Sequence, residues 1–264
     1  MSDLTKRVLV SVIFIPVLIL ALFFEGIPLY VMFLAVSLLG AQEYRSMLRQ
    51  VGYQISWVWV LIIPLLYGTW VLAPGSESAI LWVALFLVIL EALAGWTLES
   101  SVPQMFATIF AVVYTGLFPA MIVKIGWYQP VKKILLALIL MIWIVDTVAY
   151  FIGMRFGTRR GITPVSPRKS LQGFIAGLLA PGLVLLILYV SGFSMIPWPI
   201  LVMIAIAAGI FGQLGDLLES MLKRFCGVKD SSHLIPGHGG VLDRTDSILL
   251  AGAFLYSALN IINM

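Results

Sequence analysis

Long apolar runs alternate along this chain with short breaks rich in glycine, proline or charge. A membrane-crossing helix needs about 20 largely apolar residues, and nine runs qualify: 8–25, 27–48, 55–73, 78–95, 104–125, 131–154, 171–191, 197–222 and 241–263. Gly26 with Pro28, Pro74-Gly75, Pro103, Pro130, and Pro197 with Pro199 separate most of them. Pro181-Gly182 within the seventh run predicts a kink or break. The pattern therefore predicts an all-α fold, a polytopic transmembrane helical bundle of about nine helices, forming one membrane domain over 1–264. The first run, Val8 to Phe24, is long for a secretory signal and lacks a small-residue cleavage site, so it reads as a retained helix. No internal repeat or interdomain linker is visible.

Composition removes the soluble alternative. Of 264 residues, 61% are hydrophobic and 11% charged, whereas soluble domains run at about 45–50% and about 25%. The single cysteine, Cys226, excludes an intramolecular disulfide framework and reads as an incidental thiol. A net charge of +4 does not point to nucleic acid, because the basic residues form short clusters between apolar runs. That placement suits membrane topology and contact with the anionic head groups of a lipid bilayer. With the N-terminus in the cytosol, all of the 16 basic residues except Lys124, Lys132 and Lys133 fall on the cytosolic side. The expectation is a multi-pass protein of the cell's inner (plasma) membrane, with its polar face toward the cytosol and its C-terminus outside. Residues 1–125 carry no motif. Residues 131–264 form the expected catalytic portion, with cytosolic connections at 155–170 and 223–240.

Of twelve acidic residues, Asp216, Glu219, Asp230, Asp243 and Asp246 crowd into one stretch, and Asp146 lies inside an apolar run. Ionisable groups at membrane depth are costly and mark functional sites by default. Asp216, Glu219, Ser220 and Lys223 recur at helical spacing and share a face, as do Asp243 and Asp246. Carboxylate pairs on facing helices offer hard oxygen donors suited to Mg²⁺. The structural alternative is pairing with Lys223, Arg224 or Arg244 to hold helix ends together. Between the acids, Lys229-Asp230-Ser231-Ser232-His233 leads to Pro236-Gly237-His238-Gly239-Gly240. Glycines let backbone N–H groups approach an anion, and a following helix N-terminus adds a favourable dipole. His238, within the glycines, is the better candidate of the two histidines. A second loop, Ser166-Pro-Arg168-Lys169-Ser170-Leu-Gln172, offers further phosphate contacts, although basic loops are also routine topology signals.

Ser220-Met-Leu-Lys223-Arg224, then Lys229-Asp230, Ser232, Pro236, His238-Gly239-Gly240 and Asp243-Arg244-Thr-Asp246 resembles the signature of the phosphatidate cytidylyltransferases, the CDP-diacylglycerol synthases. Asp146-Thr-Val-Ala-Tyr150 and the Ser166 loop agree with the same family. The resemblance implies Mg²⁺-dependent transfer from CTP to phosphatidate, with room for a second cation. It implies catalytic or metal-binding roles for Asp216, Asp246 and Asp243, with Asp230 behind them. Lys223, Arg224, Lys229 and Arg244 would neutralise phosphates, helped by Arg168 and Lys169. Ser166, Ser220, His238, Gly239 and Gly240 would contact them. Glu219 would orient its neighbours, and Asp146 would complete a polar cavity or pack helices. Gln172 stands where the family usually carries glutamate. It keeps the shape and removes the charge, leaving open an orienting role, low activity, or an altered version of an active enzyme.

Three other readings remain. One is CTP-dependent transfer to another lipid phosphate, and one is a CDP-alcohol phosphotransferase, whose Asp-Gly-x-x-Ala-Arg pattern is absent. The third is a proton-coupled secondary transporter, which should show two similar halves, whereas the polar residues here are lopsided toward the C-terminus. Gly173 and Gly177, four apart, permit a close helix contact either within the chain or in a homodimer.

Overall fold

The computed structural model describes residues 3–161, 164–235, 237 and 239–262. Its helices are α1 (Asp3–Phe24), α2 (Gly26–Arg49), α3 (Val58–Leu72), α4 (Glu77–Ala94), α5 (Ser101–Tyr128), α6 (Ile134–Phe156), α7 (Leu171–Val190), α8 (Trp198–Phe225) and α9 (Leu242–Ile262). Among the described residues no strand forms, and two isolated bridges, Arg160 with Ser170 and Ile235 with Gly239, close loops. Helices α2, α4, α5, α6, α7 and α8 are each long and apolar enough to cross a membrane. The chain is an all-α, polytopic membrane protein. Every predicted run contains one helix, and the largest discrepancy is α1, which begins at Asp3 rather than residue 8.

The outward faces explain the composition. On α4 only Ala84 and Val88 are buried, while Trp82, Val83, Phe86 and Leu93 are exposed. Such a surface is unstable in water and favourable against lipid chains.

Two compact units form. The first comprises 1–124 with 225–244, and the second 125–224 with 245–264. The Gly-rich connection belongs with the N-terminal helices in the first unit. In the first unit Trp70, Tyr67, Tyr114 and Phe33 are among the largest fully buried side chains. Several polar groups there are paired: Tyr67 donates to the Tyr30 carbonyl at 2.7 Å, Trp59 donates to Glu91, and Lys124 pairs with Glu77. Cys226 is free and buried, and burial pushes its thiol pKa up, which keeps it protonated and unreactive.

In the second unit α6 and α7 touch almost backbone to backbone. A Cβ on Gly173 would lie 2.6 Å from the Ala149 carbonyl, and one on Gly153 would lie 2.9 Å from the Ser170 hydroxyl. Gly177 abuts the Gln213 amide on α8, so both small residues of the predicted pair serve packing within the chain. Of the predicted kink or break at Pro181, no break forms, since helix α7 continues through it. The proline ring packs against Gly209, where a Cβ would stand 3.1 Å from it, and this packing offsets one missing backbone hydrogen bond.

Two segments widen into π-helix, Val112–Leu117 in α5 and Ala207–Gly212 in α8. Neither was predicted. The second lies immediately before Gln213 and Asp216, where Gln213 Nε2 donates to the Gly209 carbonyl at 2.8 Å. On the same segment Phe211 stacks on Phe254 of α9 at 3.9 Å between centroids.

Candidate functional site

In the second unit a cavity of about 540 Å³ is lined by α6, the 160–170 connection, α7 and α8. Asp146, Arg160, Arg168, Lys169, Gln213 and Asp216 supply its polar lining, and Tyr150, Met154 and Phe174 its apolar wall. Local structure places these groups. Ser170 caps α7 by accepting from the Gly173 N–H at 3.2 Å. The connection is closed by Gly161 N–H donating to the Lys169 carbonyl at 3.0 Å and Leu171 N–H donating to Arg159 at 2.9 Å. Gln172 ties the same turn together, donating to Thr158 Oγ1 at 2.6 Å and accepting from Arg159 N–H at 3.4 Å. Arg160, Arg168 and Lys169 are thereby held at the cavity.

The Lys169 ammonium lies 2.5 Å from Asp216 Oδ2, and the Ser220 hydroxyl donates to Asp216 Oδ1 at 3.4 Å. Helix α9 passes so close to α8 that a Cβ on Gly215 would lie 2.5 Å from the Asp246 carbonyl. That crossing brings Asp246 within electrostatic range of Asp216, Asp146 and Lys223. Asp146 in turn interacts with Asp216 and Lys169. Asp246 Oδ1 also accepts from the Ser247 N–H at 2.6 Å. The three carboxylates repel one another, and Lys169 and Lys223 offset part of that repulsion. Glu219 is fully buried with Lys223 Nζ at 2.5 Å, and Arg224 Nε donates to the Val165 carbonyl at 3.4 Å.

Carboxylate donors fit Mg²⁺, and the ammonium on Asp216 shows that a cation is accommodated there. Among the described residues no three His, Cys, Asp or Glu side chains converge into a preformed metal group. An Mg²⁺ site built from one or two carboxylates, waters and substrate phosphates needs no such cage.

The first unit holds a second acidic cluster of different character. Glu43 of α2 is 4% exposed. Its Oε1 accepts from the Ser232 hydroxyl at 2.6 Å and Val241 N–H at 2.9 Å. Its Oε2 accepts from the Ser231 hydroxyl and Leu242 N–H, both at 3.0 Å. Asp243 Oδ2 accepts from Ser231 N–H and Gly240 N–H, both at 2.8 Å, and lies 2.9 Å from the Ser231 hydroxyl, whose one proton it shares with Glu43. The two carboxylates explain the two glycines. A Cβ on Gly240 would lie 2.5 and 2.6 Å from the Glu43 oxygens, and one on Gly239 would lie 2.5 Å from Asp243 Oδ2. Gly239 also has φ +86°, a conformation that L side chains rarely adopt.

The predicted residues therefore separate. Asp216, Asp246, Lys169, Arg168 and Ser220 gather in the second unit with Asp146. Asp243, Gly239 and Gly240 belong to the Glu43 network. Lys229, Asp230 and Arg244 are exposed in the first unit, Ser166 accepts from Lys169 N–H in a turn, and His238 lies outside the described residues. Sequence reasoning missed Glu43, Arg160 and Gln213. The rule that flagged Asp146, an acid inside an apolar run, would have flagged Glu43.

The model of the family described as "Cytidylyltransferase family" matches residues 5–262. The chain belongs to that family. Its similarity to individual cytidylyltransferases is strong but partial. It is 43% identical over 118 residues to the phosphatidate cytidylyltransferase of Bacillus subtilis (strain 168), covering 45% of this chain and 44% of that one. It is 44% identical over 124 residues to that of Staphylococcus aureus (strain COL), covering 47% and 46%. The chain thus spans somewhat under half the length of the curated relatives it matches.

Proposed function

We propose that this cytidylyltransferase family member converts CTP and phosphatidate to CDP-diacylglycerol and pyrophosphate for phospholipid synthesis. The observation that carries this reading is the cavity, whose lining combines the cations Lys169, Arg160 and Arg168 and the carboxylates Asp146 and Asp216 with the apolar surface of Tyr150, Met154 and Phe174. That is the lining required by a molecule with a phosphate at one end and acyl chains at the other. A lipid-phosphate oxygen would attack the α-phosphorus of CTP. One P–O bond forms, the α–β phosphoanhydride breaks, and its electron pair leaves with pyrophosphate. Such transfers depend on positioning and on neutralising charge.

The arginines and Lys169 would hold the lipid phosphate, with the Lys169–Asp216 pair exchanging its partner as the phosphate arrives. Asp216 and Asp246 would hold Mg²⁺, which when bound supplies charge neutralisation between nucleophile and leaving group. Lys223 would remain on Glu219, keeping that buried carboxylate matched. On the family resemblance, Lys229 and Arg244 contribute charge to the nucleotide phosphates. The bilayer delivers one substrate and the cytosol the other, so the N-terminus is assigned to the cytosol and the site to the cytosolic side of the plasma membrane.

Purified protein in liposomes, given labelled CTP, Mg²⁺ and phosphatidate, should form a lipid-linked cytidine nucleotide and release pyrophosphate. Chelation of Mg²⁺ should stop it. Parallel assays with isoprenoid and archaeal-type lipid phosphates test the acceptor. Faster product formation from one of those would reject phosphatidate as the substrate, and no nucleotide transfer to any would reject the reaction.

A further inference from the structure

We infer that Glu43, in the motif-free N-terminal portion, is a positioning residue for the transfer reaction, setting the Gly-rich connection and the first turn of α9. This rests on the function proposed above. Nothing in the signature stretch points to Glu43, which lies nearly two hundred residues away in sequence from the groups it holds and is nonetheless their common acceptor.

Each Glu43 oxygen takes one serine hydroxyl from the start of the connection and one backbone N–H from its end. One side chain therefore ties Ser231 and Ser232 to Val241 and Leu242. Those last two N–H groups are among the orphan donors of a helix start, and a carboxylate beside them is favoured by the helix dipole as well. The approach is close by design of the sequence. Gly40, one turn earlier on α2, lets the Leu242 side chain come to 3.1 Å of where a Cβ would stand. Gly240 leaves room for both Glu43 oxygens and the Ser231 hydroxyl.

The clamp matters because of what the clamped segment bears. Lys229, Asp230 and Arg244 project from it, and Asp246 follows one turn later on α9. A loop free to fluctuate would hold these charges in many places, and transfer rates fall steeply with misplacement. Glu43 touches no reacting atom in this scheme; it acts through the loop. Glutamine in its place keeps one acceptor oxygen but turns an N–H₂ toward a backbone N–H, donor against donor.

The test combines steady-state kinetics with hydrogen exchange across 229–242, using full-length protein in liposomes with Mg²⁺, CTP and phosphatidate. Glu43→Gln should lower kcat on the order of 100-fold, raise KM for CTP, and speed exchange at Val241 and Leu242, with helix content retained. Glu43→Asp should recover part of both. A rate within about twofold of wild type overturns the inference, whatever happens to exchange. Unchanged exchange overturns it too. If Glu43→Gln fails to assemble, the Ser231→Ala, Ser232→Ala double variant decides by the same two readouts, since it removes donors from the clamp and leaves the helix carboxylate in place. A wild type that makes no product would sink the proposed reaction and the positioning role with it, while faster exchange in Glu43→Gln would still register the anchor.

Discussion

The two acidic clusters of this protein use the same functional group in opposite ways. Around Asp216 and Asp246 three carboxylates repel one another, and the contacts to Asp216 are one lysine and a long hydroxyl hydrogen bond. Around Glu43 and Asp243 nearly every oxygen is occupied by a short N–H or O–H donor. A saturated carboxylate stabilises structure, whereas an undersupplied one has lone pairs left for a cation or a substrate. Sites commonly carry such unfavourable charge at a cost to stability. The signature stretch of one sequence, Ser220 to Asp246, feeds both clusters, so membership in a motif does not by itself assign a chemical role.

The contrast can be broken most sharply at Asp216. Asp216→Asn should reduce product formation on the order of 10³-fold, as expected for loss of transition-state charge stabilisation, while the thermal midpoint holds or rises because a repulsion is removed. A fall in both would place Asp216 with the saturated acids. Gly240→Ala comes next: its Cβ has no room beside Glu43 and Ser231, so activity should fall on the order of 100-fold and exchange in 229–242 should accelerate. Asp243→Asn should show the reverse balance to Asp216→Asn. Loss of a charged acceptor for three donors should cost about 1–3 kcal/mol of local stability, read as faster exchange, with a smaller drop in rate. The smallest effect is expected for Gln172→Glu. A carboxylate can accept from Arg159 N–H and from the Thr158 hydroxyl in place of the present bonds, so the rate should stay within about twofold. A large gain would show instead that the missing charge limits turnover.

Much of the fold was legible because apolar run length is a strong signal in a membrane chain. The nine runs correspond to α1–α9 within a few residues. The π-helical turns were not legible, since Ala207–Gly212 reads as ordinary apolar helix. Of the kink or break expected at Pro181, the break does not form: helix α7 continues through the proline, whose ring packs against Gly209. Spacing and motif singled out Asp216, Asp246 and Lys169, which the structure gathers in the second unit. Arg160 was counted only as a topology charge, because a basic residue in a loop carries no mark of the cavity it lines. Gln172 was identified as a departure, and only the hydrogen bonds to Thr158 and Arg159 reveal that it ties a turn.

The contact of Gly153 and Gly173 has a practical consequence for redesign. With only the Ser170 hydroxyl beside the two glycines at that height, trimming residues would widen the gap little, and a larger residue at either glycine would pry the helices apart. Under the proposed function, admitting a bulkier lipid would mean carving from Tyr150, Met154 or Phe174, large side chains that line the cavity.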